Sequence, residues 1–146
     1  MAVKAIPDGY HTVTPSLVVK GAAKLIDFIK EAFGGEEAFR MPGPGGEVMH
    51  AEVRIGDSVV MLNDPMQQQP TTTSLFLYVT DVDGVYKRAV KAGATSLSEP
   101  ADMFWGDRMA QVKDQFGNQW SIATHKEDVP PQEMQKRMEA AMKQRA

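Results

Sequence analysis

Apolar and polar residues alternate from residue 12 to residue 20, and the pattern then changes to helical spacing. Five apolar side chains share one helix face: Ala22, Leu25, Ile26, Ile29 and Phe33. Apolar residues three or four apart lie on one side of a helix, so this pattern predicts a strand and then an amphipathic helix that ends at Gly34. Short strands are predicted at 36–41, 48–55 and 58–62, with turn-forming residues between them. The first half is therefore predicted to fold as βαβββ.

The same order of elements returns in the second half of the chain. Segment 63–73 contains Asp64-Pro65, three consecutive glutamines and Pro70, shows no periodicity, and is predicted to be a linker. After it we predict a strand at 74–79 and a helix with its apolar face between Val82 and Val90. Further strands are predicted at 96–100, 108–113 and 118–124.

The two halves match residue by residue in their helices. Val19 and Ala22 correspond to Val79 and Val82, an offset of 60 positions, and a single insertion brings Gly56 onto Gly117. Any two amphipathic helices share such spacing by chance, but the common order of strands favours an internal duplication.

The tail after Pro130-Pro131 carries Met134, Met138 and Met142 on one helical face, which predicts a C-terminal helix that packs on this chain or on a partner. The predicted fold class is α+β, with two duplicated βαβββ modules forming a curled mixed sheet around a cavity. The predicted segments are a lead-in at 1–11, modules at 12–63 and 74–125, a linker at 64–73 and a tail at 126–146.

Composition narrows the range of functions. The 146 residues have a net charge of -3 and a pI of about 5.6, which disfavours nucleic acid and membrane surfaces as partners and leaves a small molecule. The chain contains no cysteine, which excludes disulfides, thiolate nucleophiles and cysteine-ligated metals. No apolar run approaches the ~20 residues of a membrane span, and we expect a cytoplasmic protein.

Several motifs resemble one family. Their residues are Thr14-Pro15-Ser16-Leu17-Val18 before the first helix, Met49-His50-Ala51-Glu52, Trp105-Gly106-Asp107-Arg108, and Asp114-Gln115-Phe116-Gly117-Asn118-Gln119-Trp120. They are similar to the glyoxalase, bleomycin-resistance and extradiol-dioxygenase (vicinal-oxygen-chelate) superfamily, and within it to PhnB-like proteins. The resemblance implies paired βαβββ modules around a shared cavity, commonly in a homodimer, with modules sometimes exchanged between chains.

Metal-dependent members of this superfamily carry ligands on the first and last strands of each module, usually histidine and glutamate. The corresponding positions in this chain are Thr14, Met61, Ser74 and Ser121. A thioether and three hydroxyl groups are poor ligands for a divalent transition metal at neutral pH. We therefore predict no metal and no other cofactor, which argues against the metal-dependent reactions of the family.

Strand alternation predicts which side chains face the cavity. If Ala51 and Val53 pack against the helix, His50, Glu52 and Arg54 point the other way. His50 is the candidate general base and Glu52 the residue that orients it; alternatively, both hydrogen-bond along a half-exposed sheet without catalytic work. His11 and His125 are expected to be surface residues.

Other predicted cavity residues bind a ligand rather than react with it. The aromatic loop residue Trp105 is expected to cover the cavity and Arg108 to bind an anionic group, although Arg108 has an equal alternative role in pinning the hairpin with Asp107. The predicted ligand-binding residues are Arg54, Phe76, Tyr78, Trp105, Arg108 and Gln111.

Three functions remain open at this point. The first is a small-molecule-binding protein that sequesters its ligand in the cavity of a homodimer without a metal. The alternative is a metal-independent isomerase or lyase with His50 as general base. A metal-dependent glyoxalase-like lyase or dioxygenase is the further alternative. The residues leave open whether the protein is an enzyme.

Overall fold

The computed structural model describes residues 2–145 and contains two four-stranded mixed sheets. The first sheet has strands β1 (Ser16–Val18), β2 (Glu36–Pro42), β3 (Val48–Ile55) and β4 (Ser58–Asn63), with helix α1 (Ala22–Phe33) after β1. Its strand order is β1-β4-β3-β2, with β1 parallel to β4 and the other pairs antiparallel. A single 3-10 turn, Pro44–Gly46, connects β2 to β3.

The second sheet repeats this arrangement. It contains β5 (Ser74–Tyr78), β6 (Thr95–Asp102), β7 (Asp107–Lys113) and β8 (Gln119–His125), with helix α2 (Val82–Lys91) after β5. The strand order β5-β8-β7-β6 is that of the first sheet. Helix α3 (Pro131–Arg145) follows. The predicted α+β fold, with two βαβββ modules and a C-terminal helix, is confirmed. Met1 and Ala146, at the outer ends of the predicted lead-in and tail, lie outside the described residues.

Strand register supports the internal duplication. Ser16 lies opposite Met61 in the first sheet, and Phe76 lies opposite Ser121 in the second. Each residue of the second pair therefore comes 60 positions after its counterpart in the first pair. Glu52 is the other neighbour of Met61, as Gln111 is of Ser121. The first strand is shorter than the predicted 12–20, because Pro15 has no N–H to donate to the neighbouring strand. Its carbonyl still accepts a hydrogen bond from the Met61 N–H.

The helix-facing sides of both sheets share one core. Ala51, Val53, Trp120 and Ile122 are fully buried in it, and the Phe33 ring at the end of α1 lies 4.7 Å from the Trp120 ring, centroid to centroid. Helices α1 and α2 pack against each other. None of the helices within residues 2–145 is long and apolar enough to cross a membrane.

Each helix start is held by a side chain near the end of its module's last strand. The buried Asp64 carboxylate accepts hydrogen bonds from the N–H groups of Gly21 (2.7 Å) and Ala22 (3.2 Å), and also from Val48 N–H (2.7 Å). At the duplicated position, the Thr124 hydroxyl accepts from Val82 N–H at 3.0 Å. These side chains satisfy backbone donors that a helix leaves free at its first turn.

Candidate functional site

The face of each sheet that points away from its helix is called here the open face. In β3, Ala51 and Val53 are completely buried on the helix side, whereas His50, Glu52 and Arg54 alternate with them and are partly exposed. The prediction of side-chain alternation in this strand is therefore confirmed. The roles assigned to these side chains remain predictions.

His50 borders an open cleft of about 570 Å³ on the first sheet. The cleft is also lined by Asn63 at the end of β4 and by Met66 and Gln67 of the following loop. The His50 Nε2 atom lies 4.0 Å from a Glu52 carboxylate oxygen, which is beyond hydrogen-bond distance but within electrostatic contact. The Phe39 ring stands 6.2 Å from the imidazole, centroid to centroid. The imidazole that borders the cleft thus has a carboxylate and an aromatic ring as its neighbours on the sheet.

Arg54 lies further along the same face, under the N-terminal lead-in. A Cβ atom placed on Gly9 would lie 3.2 Å from a terminal nitrogen of the Arg54 guanidinium. The next lead-in residues, Tyr10 and His11, line a cleft with Val59 of β4. The lead-in therefore covers the end of the open face where Arg54 lies.

The open face of the second sheet is aromatic. Phe76 and Tyr78 of the edge strand β5 are 50% and 64% exposed, and their ring centroids lie 5.0 Å apart. Beside them, the Gln111 side-chain amide donates a 3.1 Å hydrogen bond to the Ser121 hydroxyl. The structure thus brings together three of the predicted ligand-binding residues, Phe76, Tyr78 and Gln111.

A buried carboxylate organises one end of this aromatic face. Asp107, at the start of β7, is 3% exposed and accepts hydrogen bonds from the Tyr78 hydroxyl (2.9 Å) and from the Trp105 indole N–H (3.0 Å). Its second oxygen bonds His125 Nδ1 at 2.8 Å. Burial opposes the charge of Asp107, but the hydrogen bonds from His125, Tyr78 and Trp105 outweigh it and hold its pKa below the usual value. One carboxylate therefore fixes three ring side chains.

His125 is held between two carboxylates. Its Nδ1 contacts Asp107, and its Nε2 lies 2.7 Å from Asp128 in the tail after β8. The hydrogen bonds to Asp128 and then to Asp107 raise the pKa of His125. A neutral imidazole has only one N–H, so the ring donates to both carboxylates only in its protonated form, which the raised pKa favours. We expected His125 to be a surface residue; its side chain is half exposed, yet it is fixed at both nitrogens.

Arg108 lies on the opposite face of β7 from Asp107. Its guanidinium forms a bidentate ion pair with Asp83 in the first turn of α2, with N–O distances of 2.9 and 3.0 Å. It also donates a 3.3 Å hydrogen bond to Asp102. The structure therefore separates Arg108 from Phe76, Tyr78 and Gln111. In this position it ties α2 to the β6–β7 hairpin, and Asp107 takes no part in that pairing.

The four positions that correspond to the family's metal ligands do not fit a divalent transition metal. Met61 offers only a thioether, and the Ser121 hydroxyl is 7% exposed and accepts a hydrogen bond from Gln111. Thr14 and Ser74 add neutral hydroxyl groups, which bind such ions weakly. Within residues 2–145, no three histidine, aspartate or glutamate side chains are arranged to hold a metal ion.

Comparisons with known proteins agree with this architecture. An uncharacterised protein of Mycobacterium bovis is 39% identical over 150 aligned positions, which cover 94% of this chain and 96% of that protein. TioX from a Micromonospora species has a similar structure, with a TM-score of 0.67, 23% identity, and coverage of 82% of this chain and 100% of TioX. A PhnB protein from Bacillus cereus gives a TM-score of 0.65 at 18% identity, covering 78% of this chain and 99% of that one.

The family model of the Glyoxalase/Bleomycin resistance protein/Dioxygenase superfamily matches residues 10–122. That range runs from the lead-in through most of β8 and includes both modules. The two βαβββ modules, their duplicated register and this match all lead to one conclusion: the chain belongs to the glyoxalase, bleomycin-resistance and dioxygenase superfamily.

Proposed function

We propose that this protein binds a small molecule between the open faces of two copies of the chain, without a metal. The observation that carries the proposal is the exposure of large apolar side chains on both open faces. Phe39 and Met41 are 44% and 45% exposed on the first sheet, and Phe76 and Tyr78 are more exposed on the second. Contiguous exposed apolar surface is typical of a binding or assembly site.

The packing of the two modules supports a second copy as the cover. Because α1 packs on α2 and both sheets turn their helix sides into one core, the open faces remain accessible in a single chain. A homodimer in which the first sheet of one copy faces the second sheet of the other would enclose two equivalent cavities. Each cavity would combine the His50–Glu52 pair with the Phe76–Tyr78 wall, an apolar lining with few polar groups that suits a small ligand.

Replacing Phe76 with aspartate is expected to convert a dimer into a monomer and to abolish ligand binding, because the new charge would be buried at the interface. Light scattering after gel filtration measures the mass, and a thermal-shift screen of small aromatic and anionic metabolites measures binding. Val90→Asp is the matched control, since Val90 is 39% exposed on α2, outside the open faces. A monomeric wild-type protein, or a Phe76→Asp variant that keeps dimer and binding, would refute the proposal.

The 4.0 Å contact between His50 and Glu52 favours a second candidate, a metal-independent isomerase or lyase. In this reaction His50 would take a proton from an acidic C–H or O–H group of the ligand, and Glu52 would stabilise the imidazolium that forms. A cleft open to solvent beside His50 gives a ligand access to its Nε2 atom.

If a ligand found in the screen is turned over, His50→Ala is expected to lower kcat by roughly 10²–10⁴-fold, the usual contribution of a general base. Binding, followed by thermal shift, should change little in this variant. His11→Ala, in the lead-in, serves as the matched control and should keep full turnover. Unchanged kcat in His50→Ala would leave only the binding function.

A further inference from the structure

The β-hairpin tip of each module reaches the junction between the first strand and the helix of the other module. On one side, the tip between β7 and β8 is five residues long and carries Phe116. A Cβ placed on Gly21 would lie 3.2 Å from the Phe116 ring, so the ring covers the start of α1 closely. The cavity left beside Phe116, Val19 and Lys20 measures only about 200 Å³.

At the junction between β5 and α2, the equivalent position in the second module, no aromatic ring is supplied by the opposite hairpin tip. The tip between β3 and β4 consists of Gly56 and Asp57 alone, and no atom lies within 4 Å of a Cβ placed on Gly56. A groove of about 660 Å³ is found here, beside Val79 and Thr80, which correspond to Val19 and Lys20. The position beside the strand–helix junction is thus filled by the Phe116 ring in one module and left open as a groove in the other.

Coverage of the two edge strands differs in the same way. Alongside β1, the linker runs close enough for the Thr71 N–H to bond the Val18 carbonyl at 3.1 Å, and Leu17 is only 2% exposed. Leu77, the residue of β5 that corresponds to Leu17, is partly exposed and lines the groove. The floor of the groove is apolar, formed by Phe33, Leu75, Leu77 and the fully buried Trp120.

We propose that this groove binds the aromatic ring of a small molecule, in the place that Phe116 occupies on the other side of the molecule. The groove runs along the edge strand β5, and Phe76 and Tyr78 of the open face also line it. It therefore adjoins the site under Proposed function, but it contains neither His50 nor Glu52. Its mouth is formed by Asp57, Ser58 and Thr80, and the Ser58 hydroxyl donates to the Asp57 carboxylate at 3.1 Å. A carboxylate at the mouth favours neutral or cationic substituents, so phenols and arylalkylamines bind in preference to aryl carboxylates.

Phenol, tyramine and benzoate are suitable probes, and Trp120 is the reporter. In a Trp105→Phe background, Trp120 is the only tryptophan, because the chain has two. Phenol and tyramine are expected to change its emission saturably, with benzoate at least about tenfold weaker. Ser58 and Val60 share the groove-facing side of β4, so Ser58→Phe supplies the missing ring and should weaken phenol binding at least about tenfold.

Val90→Phe adds the same ring to α2, outside the groove, so it is the matched control and should bind phenol as the wild type does. Shifts of the Leu77 methyl resonances on adding phenol to the unmodified protein provide a second measurement that does not depend on the folding of any variant. The proposal is overturned if phenol leaves both Trp120 emission and the Leu77 resonances unchanged, or if a folded Ser58→Phe protein binds phenol as tightly as Val90→Phe.

Discussion

Replacing Asp64 with alanine is expected to lower the free energy of unfolding by about 3–5 kcal/mol, because three backbone N–H groups lose their acceptor in the core. The carboxylate is 6% exposed and joins Gly21 and Ala22, at the start of α1, to Val48 of β3. Gly21 adopts a left-handed conformation, with φ of 101°, and has no side chain that could cap the helix itself. Urea denaturation followed by circular dichroism measures the loss.

The duplicated residue Thr124 provides the matched comparison. Its hydroxyl accepts from Val82 N–H and donates to the Val79 carbonyl, so Thr124→Val should cost only about 1–2 kcal/mol. An equal loss in the two variants would show that the charge and the third bond of Asp64 contribute nothing.

Asp64 also predicts a dependence on pH. Burial opposes its charge, but the N–H donors of Val48, Gly21 and Ala22 outweigh burial and hold its pKa below the usual value. The stability it provides is therefore complete above the unfolded-state pKa of about 4 and is lost as the pH falls through the lower folded-state pKa. Asp64→Ala should be less sensitive to acid over this range than the wild type.

The sequence predicted the elements well because both modules have strong local signals. The helix limits at Ala22 and Phe33 follow from the apolar spacing and the glycine after it, and strand β3 has the predicted limits of 48 and 55. Alternation also placed His50 and Glu52 on the side of β3 away from α1, since only one register buries Ala51 and Val53.

The contacts that organise the second sheet could not be predicted in this way. Tyr78, Trp105 and His125 come from three separate segments and meet at Asp107, and nothing in the spacing of the four residues indicates that they share a carboxylate. Alternation, which placed Asp107 and Arg108 on opposite faces, was the available signal against a common role. The prediction that Arg108 binds a ligand in the cavity did not apply this alternation, and the structure instead pairs Arg108 with Asp83 of α2.

The two halves have diverged most at their hairpin tips. A tip of two residues closes with Gly56 in a left-handed conformation, whereas a tip of five residues needs an internal support. That support is Asp114, which is 5% exposed and accepts hydrogen bonds from the Phe116 and Asn118 N–H groups at 2.8 and 3.0 Å. The position of the Phe116 ring therefore depends on the Asp114 carboxylate.

Asp114→Ala is accordingly expected to destabilise the protein by about 3–5 kcal/mol, comparably to Asp64→Ala, because its donors are largely buried. Besides the tip N–H groups, the carboxylate accepts from the Asn118 side chain at 3.0 Å and from the indole N–H of the fully buried Trp120 at 2.8 Å. Denaturant unfolding gives the free energy, and Trp120 emission, measured in the Trp105→Phe background, reports the loss of the indole hydrogen bond.

Two further variants show how much of the stability lost in Asp114→Ala comes from the hairpin tip and how much from the contact with Trp120 in the core. Trp120→Phe removes the indole donor, so combining it with Asp114→Ala should cost less than the sum of the single changes, by about 1–2 kcal/mol of coupling. Asp57→Ala, in the short tip, is the exposed control and should stay within about 0.5 kcal/mol of the wild type. Strict additivity of Asp114→Ala and Trp120→Phe would mean that the carboxylate supports the tip alone, and the link from Phe116 through Asp114 to the shared core would then be wrong.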